Sequence, residues 1–306
     1  MRQAFAQTLM ELAAADPRVV LLTADLGFGV LEKFAAAYPD RFFNVGVAEA
    51  NMIGLATGLA EAGYIPFAYS IATFATLRPY DQFRNGPIAH QLPVRLVGIG
   101  GGFEYGHNGL THLGLEDLAL MRVQPGLATI VPADPAQAGV ALRATYNLPG
   151  PIYYRIGKND ALHLPELEGR FRLGRVEVVG EAGEVLLLAT GAIAVEAMAA
   201  AKLLRQAGIR AGVAVVATLR PEPTEDLQEL LARCTLAVTV EAHYVSGGLG
   251  SLVAEVIADS GMACRLLRCG VQSLPVGASG SEAYMNHLHG LSSAAIAERI
   301  LAAIAP

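Results

Sequence analysis

Residues 41–70 read RFFNVGVAEANMIGLATGLAEAGYIPFAYS, and this stretch decides the fold. It opens on a β-branched and aromatic run, Phe42–Val47. At Glu49 the pattern changes to one with Met52, Ile53, Ala56, Leu59 and Ala60 on one face, the 3.6-residue period of a helix. A second apolar run, Ile65–Tyr69, follows. Strands alternating with helices imply crossover connections and a mostly parallel sheet covered on both faces. Glu49 stands where the strand gives way to the helix, among Val47, Ala48, Ala50, Met52 and Ile53. A carboxyl so placed is expected to be partly buried, which raises its pKa and lets it share a proton. The competing reading is a first-turn glutamate that faces solvent and complements the helix dipole.

The same alternation extends in both directions. Residues 2–15 place Phe5, Leu9 and Leu12 at helical spacing, and strands are predicted at Val19–Thr23, Val94–Ile99, Thr129–Val131 and Ile152–Ile156. Asp134-Pro135 reads as an N-cap followed by proline at the first helical position. Residues 158–174, KNDALHLPELEGRFRLG, break the rhythm and read as a linker. A second unit follows, with strands near Val185–Leu188, Val213–Ala217, Ala237–Val240 and Arg265–Arg268. Its helices are expected near 193–207, 225–232 with Thr224 as cap, 249–258 and 293–304. The expectation is an α/β protein of two domains, 1–160 and 175–306, each a mostly parallel sheet covered by helices.

Composition narrows the function classes. The chain has 306 residues, 53% hydrophobic and 16% charged, with a formal net charge of −6. It is too apolar for disorder. An acidic chain without a basic run is a poor binder of nucleic acid or anionic membrane, so an anionic substrate must be met by a few placed arginines. The longest uncharged run, Ala62–Leu77, falls short of the ~18–20 residues of a membrane span. The first residues carry Glu11 and no long apolar core, unlike a signal peptide. Cys234, Cys264 and Cys269 are odd in number and form no CxxC pair, which argues against a disulfide scaffold or zinc site and fits a reducing cytoplasm.

The sequence has no GxxxxGK[ST], HExxH or GxSxG motif. GIGGG (98–102) follows a strand without the spacing of a dinucleotide fingerprint and reads as a close-packed loop. GGLGS (247–251) joins a strand to a helix and reads as a plain turn or a phosphate cradle. His107, His112 and Glu116 suggest a metal, but the histidines are five apart and share no helix face, so no metal site is assigned.

Residues 41–70 resemble the pyrimidine-binding domain of the thiamine diphosphate enzymes of the transketolase family, whose pattern runs roughly FxNVGIAEQNMxGxAxGLA. Further blocks agree in order: TADLG (23–27), TFATLRPYDQFRN (73–85), GLTHLGLEDLALMR (109–122), IVPAD (130–134), YYRIGK (153–158), VTVEAH (238–243), VGASG (276–280) and HGLSSAAI (289–296). The resemblance spans residues 2 to 304 and implies a pyrimidine-binding domain followed by a transketolase C-terminal domain. The family's Gly-Asp-Gly segment, which holds the diphosphate and Mg²⁺, is absent from the chain. The resemblance therefore implies a split enzyme: a partner subunit carries the diphosphate domain and most of the Mg²⁺ site, in a heterotetramer of two copies of each chain.

The resemblance also implies roles. Glu49 matches the glutamate that bonds a pyrimidine ring nitrogen and promotes loss of the thiazolium proton. Phe74 matches an aromatic that packs on the pyrimidine, and Asp25 lies in a turn that helps place the cofactor. His112 matches a histidine at the substrate hydroxyls and reacting oxygen. Arg2 and Arg155 match arginines that bind a sugar phosphate. Arg78 and Asp81 match positions with an interface or loop-holding role, and Glu241 and His243 match a structural turn. Four positions depart: Asn108 replaces an aspartate that recognises a donor hydroxyl, Gly100 a histidine, Gly29 a phosphate-binding serine and Ala50 a glutamine. The implied activity is two-carbon ketol transfer from an anionic ketose to an aldehyde, with rewritten substrate residues. The alternatives are the beta subunit of a 2-oxoacid dehydrogenase decarboxylating component, a pyruvate-decarboxylating synthase, and a non-catalytic structural or regulatory subunit.

Overall fold

The computed structural model describes residues 1–181 and 183–305. Its strands are β1 (Val19–Thr23), β2 (Phe42–Asn44), β3 (Ile65–Ile71), β4 (Arg95–Ile99), β5 (Ala128–Ile130), β6 (Ile152–Ile156), β7 (Glu177–Val179), β8 (Val185–Thr190), β9 (Ala211–Val215), β10 (Thr218–Arg220), β11 (Leu236–Tyr244) and β12 (Arg265–Val271). They form a seven-stranded sheet in the order β10-β5-β6-β4-β3-β1-β2 and a five-stranded sheet in the order β12-β11-β8-β9-β7. Among the described residues only β10 and β7 run antiparallel to their neighbours. The two-sheet, mostly parallel α/β architecture is the one expected from the alternating pattern.

Alternation along β1 shows what holds the first sheet. Val19 and Leu21 pack with Phe5, Leu9 and Leu12 of helix Arg2–Ala15. Val20 and Leu22 pack with Met52, Ile53, Ala56 and Ala60 of helix Glu49–Glu61 on the other face. Each such large side chain contributes roughly 1.5–3 kcal/mol on burial, so the sheet is clamped from both sides. In the second sheet Leu187 and Ala189 face helices Ala194–Gln206 and Ser293–Ile304, and Leu186 and Leu188 face the helices Thr224–Leu231 and Leu249–Asp259.

Several local expectations change. β2 ends at Asn44, before Val47, because the Asn44 Oδ1 accepts the backbone N–H of Gly46 at 3.0 Å and turns the chain out of the sheet. Helix Thr224–Leu231 takes Pro223 as its N-cap, and Thr224 lies inside its first turn. Asp134 does cap its helix, accepting from the Gln137 N–H at 2.8 Å. The 158–174 linker is a packed strap, with Leu164, Leu167 and Phe171 buried. It is fastened to the first unit by the Leu164 N–H on Asp134 and by the Gln137 amide donating to the Arg170 carbonyl at 2.8 Å. β10 leaves the second unit to pair with β5, Thr218 opposite Ile130, and so extends the first sheet. No helix among the described residues is long and apolar enough to cross a membrane.

Candidate functional site

In a parallel sheet the loops after the carboxyl ends of the strands form the natural binding crevice. The loops after β1, β2, β3, β4 and β6 meet there, and a chain of side-chain contacts runs across them. Glu49, the first residue of its helix, is only 2% exposed. Its Oε1 accepts the Ser70 hydroxyl of β3 at 3.2 Å, and its Oε2 accepts the Arg78 Nη1 at 2.8 Å. The carboxyl is thus buried against the sheet, as expected, and not turned to solvent. Arg78 is 44% exposed at the side chain, and its Cζ stands 4.0 Å from the centre of the Phe74 ring. Phe74 in turn meets the His112 ring edge-on at 5.1 Å.

His112 lies in the loop after β4, with Nδ1 2.9 Å from the Thr111 hydroxyl. Its ring is 6.4 Å from that of Tyr105, and the Lys158 ammonium stands 4.4 Å from the Tyr105 ring centre. The Glu104 Oε1 accepts the Lys158 N–H at 2.6 Å and the Asn159 N–H at 3.4 Å, which pins the start of the strap beneath Tyr105. Arg2 is half-buried close by. Burial raises the Tyr105 phenol above its ordinary pKa, and the Arg2 charge works against that rise. The line therefore runs from a buried carboxylate, past three rings, to a cationic end.

Asp25 is exposed with φ 57°, a left-handed conformation rare for a residue other than glycine. Asn44 holds it there, accepting the Asp25 N–H at 3.1 Å and donating to its carboxylate at 3.0 Å. Asn108 is exposed in the short turn Gly106–Asn108, on the loop that bears Tyr105 and His112.

Arg155 lies elsewhere. It is 5% exposed on β6 and turns into the seam between the two units. There its Nη2 donates to the carbonyls of Gly114 at 2.5 Å and Ala242 at 2.9 Å, and its Nε lies 3.0 Å from Asp117, which also accepts the Tyr153 hydroxyl at 2.7 Å. Gly101 is required here, since a Cβ would collide with the Arg155 guanidinium. The GGLGS turn is likewise filled from within. The two Glu241 oxygens accept the N–H groups of Leu249 and Gly250, each at 2.8 Å, and burial pushes the Glu241 carboxyl up to about 7. His243, pushed down to about 4 by burial, accepts the Ala119 N–H. Among the described residues no cluster of histidine, cysteine and carboxylate is arranged to hold a metal.

Sequence reasoning missed Ser70, Asn44, Tyr105 and Lys158. Lys158 had a signal: it sits just past the carboxyl end of β6, where ligands bind, whereas Arg155 is inside the strand. Arg78, four residues after Phe74, shares its helical face.

Residues 1–161 match the family described as transketolase, pyrimidine binding domain, and residues 174–296 match transketolase, C-terminal domain. An inferred transketolase C-terminal section of Methanocaldococcus jannaschii is 36% identical, over 98% of this chain and 95% of its own length. The 6-deoxy-6-sulfo-D-fructose transketolase subunit SqwH of a Clostridium species is 36% identical, over 96% of this chain and 91% of its own. A solved split-gene transketolase, described as an inactive beta4 tetramer, is similar with a TM-score of 0.89 and 35% identity, over 99% of this chain and 97% of that one. With both domains matched in order, the chain belongs to the transketolase family, of which it carries the pyrimidine-binding and C-terminal domains.

Proposed function

We propose that this chain is the catalytic C-terminal subunit of a split, thiamine diphosphate-dependent transketolase that passes a two-carbon ketol unit from an anionic ketose to an aldehyde. The observation that carries the reading is the unbroken line Glu49–Arg78–Phe74–His112 at the carboxyl ends of the parallel strands. A buried carboxyl beside a half-exposed aromatic ring fits an aminopyrimidine, whose ring nitrogen shares a proton with a carboxyl and carries it as N–H in the protonated or imino form, and whose ring packs on an apolar face. Bound thiamine diphosphate would supply the nucleophilic carbon and electron sink that ketol transfer requires. Glu49 would hold the proton at the pyrimidine nitrogen, and Phe74 would support the ring. Asp25, fixed by Asn44, would order the turn beside it.

His112 would donate to the reacting oxygen of the donor and accept a proton from its hydroxyl, a task suited to an imidazole near neutral pH. Asn108 would hydrogen-bond a donor hydroxyl without adding charge. Arg2 and Lys158 form the cationic end and would take the donor's anionic group. Arg155 would serve this site by holding the Gly114 end of the His112 loop. The rewritten substrate residues and the SqwH relative favour a donor outside the pentose phosphates, ending in a phosphate or a sulfonate. The diphosphate and Mg²⁺ would be held by a partner subunit, in an assembly of two copies of each chain.

The test is reconstitution with the partner, Mg²⁺ and thiamine diphosphate, comparing ketose cleavage with pyruvate decarboxylation. Ketose cleavage lost in Glu49→Ala is the expected result. Pyruvate as the better donor would move the chain to the decarboxylating branch. Full turnover and full thiazolium proton exchange in Glu49→Ala would remove the Glu49 assignment.

A further inference from the structure

Arg78 makes two contacts at once. It donates to the Glu49 Oε2 at 2.8 Å, and its guanidinium carbon stands 4.0 Å from the centre of the Phe74 ring. An aminopyrimidine held by Glu49 and packed on Phe74 would make the same pair of contacts: a nitrogen-borne hydrogen on the carboxylate and a planar group on the ring. We propose that Arg78 is a built-in surrogate for the cofactor's pyrimidine, occupying its place until the ring enters and then swinging out to solvent. This rests on the functional reading above.

Three features support the exchange. A carboxylate only 2% exposed needs a counter-charge, and Arg78 is its charged partner among the described residues. Ser70 stays on Oε1 throughout, so the carboxylate keeps its aim while Oε2 changes partner. Arg78 is 44% exposed, at the end of the short helix Ala72–Leu77 and before Pro79, so it has a path to water without disturbing the core. Breaking the Arg78–Glu49 pair is then a tax on cofactor affinity, one that removal of Arg78 lifts.

The experiment measures thiamine diphosphate binding to the two-chain complex with Mg²⁺ by calorimetry, and Tm with and without the cofactor. Wild type is compared with Arg78→Gln and Arg78→Lys. Arg78→Gln should bind thiamine diphosphate about fivefold to tenfold more tightly. It should lower Tm in the cofactor-free complex and leave it near wild type in the loaded one. Arg78→Lys, which keeps the charge, should fall between. Weaker binding in Arg78→Gln, or an equal loss of Tm in both states, overturns the exchange, because Arg78 would then stay on Glu49 in the loaded site. If the wild-type complex takes no thiamine diphosphate, the functional reading falls and the exchange falls with it.

A second, independent observation concerns the thiols. Cys234 and Cys264 precede the parallel neighbours β11 and β12, where Leu236 lies opposite Arg265. Their sulfurs are 3.7 Å apart and both residues are half-exposed, whereas Cys269 is buried. Closing to bond length needs about 1.7 Å of side-chain movement. We propose that this pair is an oxidation site for hydroperoxides. The Cys264 thiolate attacks the terminal peroxide oxygen, forming S–O as O–O breaks, and hydroxide leaves from hydrogen peroxide or an alkoxide from an organic hydroperoxide. The Cys234 sulfur then displaces the sulfenic oxygen as water, giving the disulfide.

Treating the full chain with one equivalent of hydrogen peroxide should give a Cys234–Cys264 peptide under non-reducing conditions and raise Tm by a few degrees, reversed by dithiothreitol. Cys269→Ser should behave the same, and Cys264→Ser should give no crosslink. A crosslink through Cys269, or sulfinic acid without a disulfide, overturns the pairing.

Discussion

Glu49 and Glu241 are both buried, and both lie beside the first turn of a helix, yet they are built for opposite ends. The Glu241 oxygens accept the backbone N–H groups of Leu249 and Gly250, partners that cannot leave without unwinding the helix. The Glu49 oxygens accept side chains, the Ser70 hydroxyl and the Arg78 guanidinium, and the latter is half in water. The arginines repeat the contrast: Arg155 spends its donors inside the seam, while Arg78 keeps an outward path. Burial of a charged group therefore does not mark a site. A site needs a buried group whose partners can be exchanged for a ligand.

The largest effect that tests this contrast is on turnover. In the reconstituted complex Glu49→Gln should lower kcat by about 10²–10⁴, the range of a lost proton-transfer group. Glu241→Gln, which touches no substrate, should leave kcat within about threefold once the complex is folded. Equal losses in the two variants would show that assembly, not proton chemistry, links both to activity.

Next in size is the seam. Arg155→Met strands the Asp117 carboxylate, which is 1% exposed, and breaking such a buried pair costs about 3–5 kcal/mol. Denaturant unfolding should show that loss, and Asp117→Leu added to Arg155→Met should recover most of it. Any rise in donor KM of the folded Arg155→Met complex should act through the loosened His112 loop and so be equal for charged and uncharged ketoses. A large KM effect without a stability loss would return Arg155 to the substrate.

The pH response of stability is smaller and has a definite sign. The Glu241 carboxyl rises from 4.5 to about 7 on folding, so the native state holds a proton that the unfolded chain has lost. Its contribution is complete below about pH 4.5 and is lost as pH rises through 7, by up to about 3 kcal/mol. His243, pushed down to about 4, works in the opposite direction and is present in wild type and in Glu241→Gln alike. The Tm of Glu241→Gln relative to wild type should therefore climb between pH 5 and 8. A flat difference would mean that Glu241 is already ionised throughout.

Periodicity made the two-sheet fold legible, because β1, β3, β4 and β6 are long apolar runs between amphipathic helices. β7 and β10 were not legible: three residues each, with Glu177 and Arg220 at their ends, they exist through pairing with distant strands. Motif blocks pointed to Glu49, Phe74 and His112, and those three do share one crevice. They could not show which arginine faces it. One residue of register along β6 decides whether a side chain enters the seam or the crevice, and the alternation of a doubly buried strand leaves no polar face to read.

Lys158 carries the finest version of the contrast, since it bears the same charge as Arg155 three residues further along the chain. Arg155 lies within β6, and Lys158 follows the strand's end, where its ammonium rests 4.4 Å from the Tyr105 ring centre. A single cation in a hydrated crevice is worth little, so Lys158→Met should raise the KM of a phosphate- or sulfonate-bearing ketose by about tenfold and leave kcat within twofold. Methionine keeps the apolar stem against Tyr105, so an uncharged ketose should show no change. Added salt should shrink the wild-type advantage, as screening demands of a partly exposed charge. If Lys158→Met lowers kcat for charged and uncharged donors alike, the strap that Glu104 pins, and not the ammonium, is what the crevice requires.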